Sequence, residues 1–178
     1  MASSDQTTPG MRRRDFLALA LWSASACATP GEGRDDGQSV SHPLSGIRDF
    51  DDNPLPLPPP RGQIILLDFW ASWCAPCRHS FRYVDQLYRT FAGEPVSVWG
   101  ISLDDDAGAA KRFLARNRAR FPVAWDSTHQ IRNRFRVSSL PTSVLLDKDA
   151  TLVLRQEGFD PQSHQRIEAT LRTLLGKF

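Results

Sequence analysis

The sequence predicts an α/β sandwich around a mixed sheet. Strand-length and helix-length segments alternate along the chain, two of the strands are apolar runs suited to cover on both faces, and a hairpin followed by a helix ends it. At 178 residues, 40% hydrophobic and 10% aromatic, the chain can bury a sizeable core in one ordinary domain. Its 22 Lys+Arg against 20 Asp+Glu leave a net charge of +2, which argues against a charged disordered chain and against nucleic acid as a partner. Three cysteines are too few for a disulfide-dense scaffold.

The folded domain is expected to start near Leu44 and run to residue 178. Ile47-Arg48-Asp49-Phe50 reads as a short first strand, Asp51-Asp52-Asn53 as a turn, and Pro54 to Pro60 as a proline-rich crossing. Ile64 to Trp70 is an apolar run of strand length broken once, by Asp68. From Pro76 onward Phe81, Val84, Leu87, Tyr88 and Phe91 recur at helical spacing, with Arg78, Arg82, Asp85 and Arg89 on the other side. Val96 to Leu103 is a second apolar strand, and Asp104-Asp105-Asp106 supplies acidic groups for the start of a helix with Ala110, Phe113 and Leu114 inside. Pro122 to Trp125 reads as a short strand, and Ile131 and Phe135 belong to a small helix. Ser143–Leu146 and Thr151–Leu154 flank a turn at 147–150 and form a hairpin. The last helix takes Asp160 as N-cap and Pro161 at its first position, with Ile167, Leu171, Leu174 and Leu175 as its apolar stripe. Trp99 and Trp125 read as core, and the arginines at 116, 118 and 120 and at 132, 134 and 136 as solvated faces.

Residues 1–28 read as an export signal: Arg12-Arg13-Arg14 leads an Ala/Leu-rich stretch with a small-residue end, too short to span a bilayer. Arg13-Arg14-Asp15-Phe16-Leu17 resembles the twin-arginine pattern. Ala24-Ser25-Ala26-Cys27 resembles a lipobox, which would lipidate Cys27, while Ala26-Cys27-Ala28 also fits simple cleavage after Ala28. Residues 29–43, rich in Gly, Pro, Ser and Asp, read as a flexible linker. The domain then lies outside the cytosol, in the periplasm or an equivalent compartment where disulfides form, and meets a membrane only through Cys27.

Two cysteines remain in the domain, Cys74 and Cys77, spaced C-x-x-C between a buried strand and an amphipathic helix. At a helix N-terminus the free amides and the helix dipole stabilise a thiolate, so Cys74 is the candidate nucleophile. Cys77, expected one turn inside the helix, is placed to attack a mixed disulfide at Cys74 and resolve it. A zinc site needs more ligands than this pair, and His42, His79, His129 and His164 show no ligand spacing, so neither metal nor cofactor is expected. An inert structural disulfide is the remaining alternative reading.

Leu67-Asp68-Phe69-Trp70-Ala71, Trp73-Cys74-Ala75-Pro76-Cys77-Arg78 and Leu140-Pro141-Thr142 together resemble the thioredoxin superfamily, and within it the exported TlpA-like and ResA-like thiol-disulfide oxidoreductases. The resemblance covers residues 44–178, with Ser102–Phe121 similar to the central insertion of that branch. It implies a thioredoxin fold with that insertion and an extra N-terminal strand, a cis Leu140–Pro141 bond facing the cysteines, and substrate contacts from Trp73, Ala75, Pro76 and Leu140. It also implies an acid/base role for Asp68 beneath the resolving thiol, where many TlpA-like relatives carry Asn. Ala75 stands where ResA-like proteins have Glu, and Ser139-Leu140-Pro141-Thr142 departs from the Gly-Ala-Pro-Glu of the cytochrome c maturation branch, so the partner class stays open.

The expected activity is reduction of disulfides in exported proteins, with a membrane thiol carrier as electron donor. Net oxidation of thiols would use the same cysteines, and a thioredoxin-fold binding protein, such as a copper carrier or redox-regulated chaperone, is the alternative from another class.

Overall fold

The computed structural model describes residues 44–55 and 62–177. The expected export signal, the linker, Cys27 and residues 56–60 of the proline-rich crossing lie outside the described residues. The elements run β1 (Ile64–Trp70), α1 (Cys77–Thr90), β2 (Val96–Ser102), α2 (Ala107–Arg116), β3 (Val123–Trp125), α3 (Gln130–Arg134), β4 (Thr142–Leu146), β5 (Leu152–Glu157) and α4 (Pro161–Leu174).

One mixed sheet carries the fold in the order β3-β2-β1-β4-β5. β1 lies at its centre, parallel to β2 and antiparallel to β4, and every residue of it is buried. Side chains alternate between faces along a strand, and the two faces of β1 feed two separate cores. Ile64, Leu66 and Trp70 join Phe81 and Val84 of α1, Phe113 of α2, and Ile167 and Leu171 of α4. Ile65, Leu67 and Phe69 join Trp99, Ile101, Ile131, Phe135 and Val144, with Leu44 and Ile47 from the start of the described chain. Asp68 falls by the same alternation on the α1 side, between Leu66 and Trp70.

Local chemistry ends the elements where the residues demand it. Asp106 caps α2 by accepting from the N–H groups of Gly108 and Ala109 at 2.8 and 3.1 Å. Asp160 caps α4 in a reciprocal capping box with Ser163. Asp147 accepts from the N–H groups of Asp149 and Thr151 and so closes the β4–β5 hairpin.

Three expectations are corrected. Residues 47–50 form no strand; Arg48 makes only single bridges, to Pro54 and to Trp125. Asp49 there accepts from the N–H groups of Asp51 and Asn53, which curls the segment back on itself, and Pro54 has no N–H to extend a ladder. Cys77 is the first residue of α1 and not a turn inside it, because residues 74–79 wind through successive i→i+3 bonds before the α pattern begins with Ser80 N–H on the Pro76 carbonyl. Trp125 is only half-buried, since it ends the edge strand β3 and donates its ring N–H to the Asp104 carbonyl.

Candidate active site

Cys74 and Cys77 are joined by a disulfide, with their Cα atoms 5.3 Å apart. The loop from Ala71 to Pro76 connects the end of β1 to α1 and carries Cys74. Cys74 keeps 5% of its surface exposed and Cys77 none, so of the two sulfurs only that of Cys74 can meet a partner. Trp73 beside it is 71% exposed, far more than any other large apolar side chain among the described residues. Ala75 and Pro76 are exposed too.

The Leu140–Pro141 bond is cis, as the resemblance implied. β4 pairs Thr142 with Phe69, so Pro141 enters the sheet at the end where β1 gives way to the cysteine loop. Leu140 and Trp73 line one groove of about 330 Å³ together with Leu103, Asp105, His129 and Arg132. The structure thus brings two of the four expected substrate contacts into a single surface. The other two, Ala75 and Pro76, lie on the exposed turn between the cysteines.

Asp68 is fully buried beneath the start of α1. Its Oδ1 accepts from Ser80 Oγ at 3.0 Å and Ser143 Oγ at 2.8 Å, while Oδ2 is buried with no hydrogen-bond partner. Burial away from water raises its pKa to about 7, against the opposing pull of the hydrogen bonds from Ser143 and Ser80. Ser80 lies three residues after Cys77, on the same face of the helix. A carboxyl group able to take or give a proton near neutral pH therefore sits under the turn that begins with the buried thiol.

Sequence reasoning missed Ser80 and Ser143, and it missed Asp104. The signal for the two serines is a polar residue inside an apolar stripe: Ser80 falls on the buried face of α1 with Phe81 and Val84, and Ser143 interrupts a wholly buried strand. Asp104 is not a helix-starting group. It is buried, and its carboxylate accepts from Ser72 N–H at 3.0 and 3.1 Å, from Ser72 Oγ at 2.5 Å and from Ser102 Oγ at 3.0 Å. It anchors the loop two residues before Cys74. Only the strand crossing from β1 to β2 reveals this contact, which spans 32 residues of sequence.

Among the described residues no cluster of three or more His, Cys, Asp or Glu could hold a metal ion, and no helix is long and apolar enough to cross a membrane.

A parallel-antiparallel sheet with a dithiol pair at the head of a helix, a cis proline beside it and a buried carboxyl beneath defines a thioredoxin-type redox domain. Residues 62–152 match the family described as thioredoxin-like. The ResA thiol-disulfide oxidoreductase of Bacillus cereus is 30% identical over 128 residues, covering 72% of this chain and 73% of that protein. Among solved structures, the thiol:disulfide interchange protein DsbE of Chlorobium tepidum is 36% identical at a TM-score of 0.63, covering 65% of this chain and 82% of that one. StoA of Bacillus subtilis is 25% identical at a TM-score of 0.55, over 62% and 84% of the two chains. The chain belongs to the thioredoxin-like family and is a thiol-disulfide oxidoreductase of the ResA/DsbE type.

Proposed function

We propose that this oxidoreductase reduces disulfides in exported partner proteins, with Cys74 attacking and Cys77 resolving. The observation that carries the reading is the difference in access between the two sulfurs above the buried Asp68. In the dithiol form the Cys74 thiolate attacks one sulfur of the partner disulfide. The Cys74–partner bond forms as the partner's S–S bond breaks, and its other sulfur leaves as a thiolate. Cys77 then gives its proton to the Asp68 carboxylate and attacks Cys74, which forms the Cys74–Cys77 disulfide and releases the partner's second thiolate. The partner gains two electrons and this chain loses them. A dithiol carrier at the membrane returns them and restores the reduced pair.

Several observations support the roles of the surrounding residues. Trp73 and Leu140 share the groove beside the disulfide, where an extended partner segment can lie, and Ala75 and Pro76 form its exposed border. Pro141 shapes the backbone that presents Leu140. The charged head, apolar stretch and small-residue end over residues 1–28 support an extracytoplasmic location, with residues 29–43 as linker, residues 44–178 as the redox domain and Cys27 as candidate lipid anchor.

Trapping tests the reading. Cys77→Ser is expected to accumulate mixed disulfides between Cys74 and partners that dithiothreitol releases, and Cys74→Ser to accumulate none. Adducts that persist in Cys74→Ser, or that are missing from Cys77→Ser while Cys74 still reacts with a thiol reagent, would sink it.

A further inference from the structure

A second concavity, of about 470 Å³, opens on the other side of the cysteine loop. Arg78 and Arg82 of α1 and Arg112 and Arg116 of α2 converge on it, over a floor that includes Ser72 and Phe113. All four arginines are exposed. Arg112 reaches Asp106 at 3.3 Å, a pair about two-thirds exposed at each end, and the other three make no ion pair among the described residues.

Folding alone gives no reason for this arrangement. Arg78 and Arg82 are four apart on one helix, Arg112 and Arg116 four apart on the next, and like charges at that spacing repel. Arg78 also occupies the first turn of α1, where the dipole disfavours a cation and where no acidic residue stands. Arg116 stands in the last turn of α2, where the dipole favours a cation, but the like-charge spacing on both helices and Arg78 at the head of α1 cost stability. Other arginines do find carboxylates: Arg120 meets the buried Asp85 at 2.6 Å, and Arg172 meets Glu168 at 2.7 Å.

We infer that this basin docks an acidic segment of the disulfide-bearing partner protein. The inference rests on the exchange reading above and deepens it. Ser72 and Arg78 line the basin and bracket Trp73 to Cys77 in the sequence, so a chain segment held there lies against both ends of the cysteine loop. Planar guanidinium groups match carboxylates in paired hydrogen bonds, and several in one concavity favour a run of Asp and Glu over a single charge. The groove on the far side of the loop sets Asp105 against Arg132 and is close to neutral, whereas the basin gathers four cations, so the two flanks of the disulfide differ in charge and would orient the partner.

Two disulfide-bridged peptides test this, identical except that one is flanked by Asp and Glu and the other by Asn and Gln. The reduced full-length chain is expected to reduce the acidic peptide about tenfold faster at low salt, a ratio that approaches one at high salt. The double variant Arg82→Glu/Arg116→Glu is expected to erase the preference and leave the rate on the neutral peptide unchanged. A cysteine-free acidic peptide should bind the wild-type chain, read by titration calorimetry, and should not bind the double variant. Equal rates with no binding of the cysteine-free peptide overturn the proposal, as does an equal change of both rates in the variant. Binding of inorganic phosphate or anionic vesicles without the acidic peptide also overturns it and assigns the basin to phosphate groups. If neither disulfide peptide is reduced, the exchange reading fails, and binding of the cysteine-free peptide still decides what the basin holds.

Discussion

At the scale of residues, two carboxylates are buried beside the cysteine loop, Asp68 under the start of α1 and Asp104 against Ser72. Asp68 has a folded-state pKa of about 7, above its value in an unfolded chain, so folding favours its protonated form. Its contribution to stability is full below about pH 4 and is lost as the pH rises through about 7. Asp68→Asn keeps an oxygen for Ser80 and Ser143 and removes the charge. It should nearly match the wild type in urea unfolding at pH 4 and exceed it by roughly 4 kcal/mol at pH 8. The same variant should slow release of the partner from the Cys74 mixed disulfide and flatten its pH dependence near 7. Equal stabilities at pH 8 would show that burial does not raise the pKa of this carboxyl. Asp104→Ala strands the Ser72 and Ser102 hydroxyls and the Ser72 N–H, and should cost roughly 2–4 kcal/mol. Its reduction potential should shift as well, since the loop leading to Cys74 loses its anchor; a melting loss with an unmoved potential would make Asp104 a purely structural group. Asp68 was legible because a lone carboxylate in an apolar strand is conspicuous. Asp104 was not, because its neighbours 105 and 106 suggest helix capping and its partner is remote in sequence.

At the scale of elements, the segment around Gly100 shows how closely β2 approaches the aromatic cluster of the first core. A β-carbon at Gly100 would stand 2.8 Å from the Phe121 ring and 3.3 Å from the Trp70 ring nitrogen. Trp70 in turn packs against Phe81 and Phe113, with ring centroids 5.2 and 4.6 Å apart. Gly100→Ala must therefore displace packed rings and should destabilise the protein by about 1–3 kcal/mol, measured as a drop in the urea midpoint at unchanged slope. Phe121→Leu in the same background should recover part of the loss. The strands and helices were readable here because apolar period and caps agree: β1, β2, α1 and α4 fall where the runs of Ile, Leu, Val and Phe place them. The segment 47–50 was not, since strand-like residues there are overruled by the Asp49 turn. The start of α1 was shifted by the turns around Pro76, which alternating hydrophobicity does not report.

At the scale of the whole molecule, the sheet order places β1 centrally, and both ends of the reaction follow from that placement. The cysteine loop leaves β1 at the end where β4 brings in the cis proline, and Asp68 lies one strand pitch back under α1. The groove and the arginine basin then flank the disulfide from opposite sides, built by α3 and the β3–β4 connection on one hand and by α1 and α2 on the other. The motif resemblance located this site, and the fold supplies what the motifs could not: which sulfur is exposed, which carboxyl lies below and which surfaces surround it. The direction of electron flow is set by the reduction potential of the Cys74–Cys77 pair. Its measurement, by Trp70 and Trp73 fluorescence across a glutathione or dithiothreitol series, tests the central claim most directly. A single two-electron transition near the thioredoxin value of about −270 mV is the result expected of a reductase; a value near the DsbA end, about −120 mV, would make the protein an oxidant of thiols, and the lack of any such transition would contradict the exchange mechanism itself.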